Sequence, residues 1–490
     1  MNGMILLVPV LLPIAAGLLM ALIHFGQRSQ MLLYVGVVLG AEALIATAIA
    51  VWGGGAKAEV FAIAGGMTIA FGVDTLSKVF LVLIPWAWFL AGIFSFEYME
   101  HEERQPWFYG VYLVVGGILA GLALADNLLT YYVFYEFMSL TSMPLVLHER
   151  THESIMAAQK YLFYSMAGAL MVLFGFFVLS TQTGGGALSF TAGGMLAGQE
   201  PTTVLLLAVF LAILGFGAKA GMFPMHAWLP SAHPVAPAPA SAVLSGVITK
   251  AGVLGVIRVV YFVVGADFIR GTWVQYAWVT LALMTVFMGS MLAYKEKVLK
   301  KRLAYSTVSQ VSYIMFGLAV MTPEAFAGAI LHVIFHSLAK NTLFMSAGAI
   351  IHKTGKTRVE ELTGIGKQMP VVMVCFTLAS LSLIGIPPLG GFVSKWYLAV
   401  GALDSGVPVA SWLGPIILLI SALLTAGYLL PIAIHGFFPQ GDVDAAQLEN
   451  KEPTWQMLLP MIVMAALSIL LGIWTSGLME LLAAVAETIL

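Results

Sequence analysis

The stretch TVLLLAVFLAILGFGAKAGMFPMHAWLP, residues 203–230, decides how the whole chain is read. It is apolar from Val204 to Ala218, then carries Lys219, then Gly221 and Pro224, which stop a helix, then His226 and Pro230. A run of about 20 apolar residues crosses the ~30 Å of hydrocarbon in a bilayer. A Gly/Pro stop at that depth is tolerated only where the backbone is buried in protein or lines a wet cavity. This segment is therefore a transmembrane helix that breaks inside a protein interior, with a lysine at the break.

The rest of the chain repeats the pattern. Of 490 residues, 60% are hydrophobic and 9% charged, with a mean hydropathy of +0.96, whereas a soluble domain has about 25% charged. Apolar runs predict an all-α polytopic membrane protein with about fourteen transmembrane helices. They lie near 4–24, 31–52, 74–95, 107–125, 127–148, 161–181, 203–226, 238–264, 273–293, 303–321, 324–352, 370–402, 409–436 and 455–476. The start, Met1 to Pro13, has no basic segment and no cleavage site, so it reads as a retained span. The twelfth span breaks as the seventh does, at Gly385-Ile386-Pro387-Pro388. Paired interruptions point to two inverted five-helix repeats with the ion path at the breaks. The chain is then one transmembrane domain, with a first repeat over about 107–264, a second over about 273–436, and a last span and tail over 455–490.

Loops after odd-numbered spans carry Arg28, Arg104, Arg150, Lys160, Lys295, Lys297, Lys300, Lys301, Arg302, Lys353, Lys356, Arg358, Lys367 and Lys451, while the other loops carry only Lys57 and Arg270. By the positive-inside rule both termini face away from the cytoplasm, in the cell membrane.

Composition also excludes several classes. With 22 Lys+Arg against 24 Asp+Glu, the basic excess that nucleic acid requires is missing. The single cysteine, Cys375, rules out a disulfide framework and any Cys-ligated iron–sulfur or zinc site. No cofactor is expected in this chain, so redox chemistry belongs to a partner unless histidines hold a haem. No G-x-x-x-x-G-K-[ST] loop is present, against self-contained ATP-driven pumping. The longest loops, Thr181 to Thr203 and Phe437 to Pro453, are too short to fold as domains.

Ionisable residues inside spans cost at least ~2.5–3.5 kcal/mol each and are functional candidates. Glu136, Lys219, Lys250, Lys340 and Lys395 all fall there. Desolvation favours a neutral buried lysine, and a nearby carboxylate favours the charged form. A lysine whose Glu partner approaches and retreats is thus a proton site with two affinities. The alternative, that Glu136 staples two helices by neutralising one lysine, leaves three lysines unneutralised. Glu42, in the second span, either functions or meets a partner subunit's helix. Asp74 and Lys78 are spaced as an interfacial i,i+4 pair, and Lys78 and Arg258 lie near span ends, where they can snorkel.

His332, His336 and Lys340 recur every four residues and so form one stripe along a helix. A packed polar seam, a metal site or a haem site are alternatives. Zinc needs a third ligand, and both rings leave one helix face, poor geometry for haem. A proton wire of histidines titrating near neutrality fits best. His226 could extend it; His233 reads as nearer the surface.

At these residues the sequence resembles the antiporter-like proton-translocating subunits shared by respiratory complex I, Mrp-type cation/proton antiporters and membrane-bound energy-converting hydrogenases. The matching stretches are Tyr135-Glu136-Phe137, Gly217-Ala218-Lys219-Ala220-Gly221 with Pro224 to Pro230, Ser245 to Gly252, His332/His336/Lys340 with Leu343-Phe344, and Gly385 to Pro388 with Phe392 to Trp396. They span roughly residues 74–436, in family order. The resemblance implies that Glu136 and Lys219 are a modulating pair, that Lys250 passes protons to the histidine-bearing span, and that Lys395 is the exit-side acceptor. It also implies one of the family's shorter, middle subunits. The partners it implies are homologous antiporter-like subunits, small hydrophobic subunits and peripheral Fe-S subunits, with H+ and in some members Na+ as the ion. Three functions then compete: a proton-translocating subunit of a redox-driven complex, a subunit of an Mrp-type Na+(K+)/H+ antiporter without redox partner, and a passive scaffold, which the buried lysines argue against.

Overall fold

In hydrocarbon every backbone N–H and C=O must be paired within its own segment, so apolar runs of this length fold as helices. The computed structural model describes residues 3–196, 198–439 and 449–490, and the loop from Phe437 to Pro453 lies partly outside them. The chain is mostly helical, and among the described residues ten helices are long and apolar enough to cross a membrane. The helices Leu128–Val146 and Pro323–Thr354 and the shorter pair Pro370–Ile384 and Gly390–Leu403 stand outside that set. Polar residues start several of them: Asn127 accepts from the Thr130 amide at 2.7 Å and Thr322 from the Ala325 amide at 3.3 Å, satisfying amides that a helix leaves open at its first turn.

An antiparallel hairpin, β1 (Lys57–Ile63) and β2 (Met67–Gly72), departs from the all-α expectation. Its turn passes through Gly65 and Gly66, both at positive φ, which glycine adopts without a Cβ penalty. The segment alternates over only a few residues around that Gly-Gly, a signal a hydropathy window averages away.

The helices Ala238–Val264 and Pro323–Thr354 form the centre, each buried along nearly its whole length. Pro323–Thr354 packs against Leu299–Val320, Pro370–Ile384, Gly390–Leu403 and Trp455–Ile473. The histidine stripe therefore runs through the interior of the bundle.

Four sequence readings change, one of them at His233, which is fully buried and not near the surface. Asp74 pairs with Arg258, not with Lys78: it accepts from the Ser77 amide at 2.7 Å and takes both guanidinium nitrogens of Arg258, Nη2 at 3.1 Å. Arg258 does not snorkel; it is 1% exposed, 4.7 Å from the rings of both Phe190 and Phe262. A planar fork matches a carboxylate in a way that a lysine ammonium does not, which favours this long-range partner. Glu42 does not reach outward to a partner either, being 1% exposed. It faces Gly116 and Trp88, where a Cβ on Gly116 would lie 3.2 Å from Glu42 Oε2.

Candidate ion-translocation site

Lys219 occupies the last turn of Thr203–Ala220, which ends at Gly221 with φ 81°. That helix crosses His152–Gln182 so closely that a Cβ on Gly168 would fall 2.6 Å from the Gly215 carbonyl, and one on Gly215 would fall 2.4 Å from that of Gly168. Small residues permit this approach, and it delivers two hydroxyls. Lys219 Nζ donates to Tyr161 Oη at 2.9 Å and to Ser165 Oγ at 2.8 Å. The Tyr161 hydroxyl also meets Ser142 Oγ at 2.6 Å. Trp228, from the turn after Gly221, closes the site and donates to the Ala218 carbonyl at 2.8 Å.

Glu136 does not touch Lys219; among the described residues the lysine forms no ion pair within 4.0 Å. The glutamate is half-buried on Leu128–Val146, beside Phe137 at 52% and Leu140 at 48% exposure. It thus borders an outward apolar face of the chain, on the helix that also brings Ser142 to the hydroxyl cage.

The second cluster is a row of neighbours and not an unbroken hydrogen-bond chain, since His336 Nε2 has no partner. Residues Leu244–Ile248 form a π-turn, and side chains use its backbone: the Ser245 carbonyl accepts from Lys250 Nζ at 2.6 Å and from Thr249 Oγ1 at 2.7 Å. Lys250 Nζ also lies 2.6 Å from His336 Nδ1. The His336 and His332 rings are 6.0 Å apart, and His332 Nδ1 meets Ser394 Oγ at 2.9 Å while its Nε2 meets Gln310 Oε1 at 3.2 Å. Ser394 adjoins Lys395, whose Nζ donates to the carbonyls of Leu383 and Ile384 and lies 4.8 Å from the Tyr313 ring. Tyr313 in turn stacks on His332. A buried polar row therefore runs from Lys250 through His336, His332 and Ser394 to Lys395.

Lys395 caps the end of Pro370–Ile384 from the next helix, and Lys219 sits in the last turn of its own helix. Both cations stand at helix C-termini, where the backbone dipole stabilises positive charge.

Lys340 is fully buried and donates to the Leu303 carbonyl at 3.0 Å, not to a histidine. His226 is half-buried, stacks on Phe223 and has an unpartnered Nδ1. No ring contact or hydrogen bond among the described residues joins it to the stripe, and none joins Lys219 to Lys250 through side chains. Sequence reasoning missed Tyr161, Ser165, Ser142 and Gln310. Tyr161 and Ser165 are spaced i,i+4, which was legible, but hydroxyls at that spacing are common on helices. Among the described residues no group of three or more His, Cys, Asp or Glu could hold a metal ion.

Comparison with known proteins follows the same residues. Positions 125–425 match the family described as "NADH:quinone oxidoreductase/Mrp antiporter, TM", and 63–109 match the N-terminus of complex I chain 5. The chain is 33% identical to an NADH-quinone oxidoreductase subunit of Desulforudis audaxviator, over 82% of this chain and 81% of that one. It is 29% identical to a Na(+)/H(+) antiporter subunit of Bacillus subtilis, over 100% and 98%. A chain of the Mrp complex from Dietzia sp. DQ12-45-1b has the same fold, with a TM-score of 0.86 at 24% identity, covering 99% of this chain and 97% of that one.

Proposed function

Because the chain belongs to the NADH:quinone oxidoreductase/Mrp antiporter membrane family, we propose that it translocates protons as one subunit of a redox-driven, multi-subunit complex of the cell membrane. The observation that carries this reading is the 2.6 Å contact of Lys250 with His336, continued by His332 and Ser394 to Lys395. Groups that accept and release protons, set in a row inside the protein, are what stepwise transfer needs. The driver and any flavin or iron–sulfur centre belong to other subunits.

In this proposal the chain crosses the membrane fourteen times, with both termini away from the cytoplasm. Segments 203–235 and 370–403 are interrupted spans, placed alike in two inverted repeats. Glu136 faces a neighbouring subunit, since a carboxylate on an apolar outer face is costly against lipid. A charge shift in that neighbour moves Glu136 toward or away from Lys219. Two unit charges at ~4 Å interact by about 4 kcal/mol at an effective dielectric of about 20, enough to hold or release a proton. Lys219 is caged by hydroxyls here, the arrangement proposed for Glu136 in retreat. Transfer then proceeds by Lys250 and the histidine row to Lys395.

The test is proton flux in membranes carrying the intact complex. Lys219→Ala and Glu136→Ala abolish it while the complex persists, and normal flux in either variant overturns the proposal. A second reading, a subunit of a Na+(K+)/H+ antiporter without redox partner, draws on the end-to-end match to the antiporter protein of Bacillus subtilis. Co-purification separates the two: flavin- or iron–sulfur-bearing subunits support the first, only small hydrophobic partners the second.

A further inference from the structure

We propose that His233 and Lys300 form a proton-uptake route that loads Lys340 from the carboxylates Glu102 and Glu149, on the face bearing the Lys/Arg-rich loops. This rests on the reading of the chain as a proton translocator.

His233, on Leu229–Val235, is fully buried, and neither ring nitrogen has a hydrogen-bond partner. A buried polar group without a partner is destabilising, so two on one ring call for an explanation beyond packing. The ring stacks on Phe344, centroids 4.6 Å apart, one helical turn beyond Lys340 on the same helix. The charged groups facing His233 come from three helices: Lys300, Lys340 and Lys250.

Lys300 is 7% exposed, and its Nζ donates to the carbonyls of Pro234 and Ala236, at 3.3 and 2.6 Å, the backbone directly after His233. The charges facing it are Glu149, which is exposed, and Glu102, which is partly buried. Lys340 donates to the Leu303 carbonyl, one turn along Leu299–Val320 from Lys300. From water inward the order is Glu149 and Glu102, Lys300, His233, Lys340. The row ends one helical turn from His336 on the same helix, and it supplies the stripe with a source independent of Lys219. Stapling the Pro234 and Ala236 carbonyls explains why Lys300 is buried; it explains neither the open nitrogens of His233 nor the two carboxylates at the mouth.

The test compares Lys300→Arg, His233→Gln and the double variant Glu102→Gln/Glu149→Gln with Lys219→Ala, by proton flux in membranes carrying the intact complex. Arginine keeps the charge and can still donate to both carbonyls but does not release a proton near neutrality; glutamine hydrogen-bonds but does not titrate. Loss of a proton-relay group lowers flux by about tenfold or more in Lys300→Arg and His233→Gln, with assembly unchanged. Wild-type flux in Lys300→Arg overturns the route and leaves Lys300 a staple. If a core variant does not assemble, the surface double variant decides: reduced flux with an altered pH profile supports the route, and an unchanged rate and profile overturn it. Normal flux in Lys219→Ala as well would instead sink the translocation reading itself.

Discussion

Lys250 and His336, 86 residues apart in sequence, meet at 2.6 Å inside the bundle, ammonium against Nδ1. A donating ammonium requires the lone pair on Nδ1, so a neutral ring carries its proton on Nε2, which has no partner. With that tautomer the pair is a donor held against an acceptor with its far side open. Replacing His336 with alanine leaves Lys250 only the Ser245 carbonyl and the Thr249 hydroxyl. Proton flux is expected to fall by about 10²-fold or more, the scale of a lost proton-transfer group, with complex assembly intact. Flux near wild type would show that protons do not use this row.

The Tyr161 hydroxyl is one of two oxygens holding Lys219. Tyr161→Phe removes that oxygen, keeps the ring beneath Lys219 Nζ, and leaves the Ser142 hydroxyl its backbone partner, the Met138 carbonyl. A hydrogen bond to a charged group is worth about 1.5–3 kcal/mol, so the caged position of Lys219 weakens by one to two orders of magnitude relative to one nearer Glu136. The expected result is slower translocation in Tyr161→Phe, and slower still in the double variant with Ser165→Ala, which removes the second oxygen. Rates measured in the two variants and the double decide whether the sites are coupled.

Much of this was legible in the residues. A lysine in the apolar run ending at Ala218 announces both a span and a site, because burial makes each charge costly and hence informative. The i,i+4 stripe fixed which face of one helix carries His332, His336 and Lys340. What residues alone did not reveal is set by helix-on-helix contact. The separation of Glu136 from Lys219 depends on how Leu128–Val146 rotates, and the burial of His233 depends on Phe344, more than 100 positions away. The Asp74–Arg258 pair spans 184 positions, and a local i,i+4 rule pointed to Lys78 instead.

That pair gives a pH dependence. Asp74 is the N-cap that precedes the helix Thr75–Tyr98; burial alone would raise its carboxyl, but Arg258 and the Ser77 hydrogen bonds outweigh this and lower it from 3.8 to about 2. A carboxyl depressed on folding contributes stability above its unfolded pKa, and that contribution disappears as the pH falls through the folded value. The thermal unfolding midpoint of the wild type should exceed that of Asp74→Asn at neutral pH, with the gap closing between about pH 4 and pH 2. A gap that stays constant over that window would mean that Arg258 is stabilised by its aromatic neighbours and not by this carboxylate.

Gly391 opens the helix that carries Lys395, where a Cβ would fall 1.7 Å from the Ser382 carbonyl oxygen. The obstacle is backbone at the end of Pro370–Ile384, not a side chain that can swing away. Gly391→Ala must therefore push the two helical pieces apart, and the Leu383 and Ile384 carbonyls lose their register with Lys395 Nζ. Overpacking of this kind typically costs ~1–3 kcal/mol, and sometimes more. The cost falls on the joint and not on the bundle as a whole, so the variant is expected to assemble at reduced yield and to translocate no faster than Lys395→Ala. Wild-type flux from a fully assembled Gly391→Ala complex would show that the joint tolerates separation, and that Lys395 does not depend on the helix end it caps.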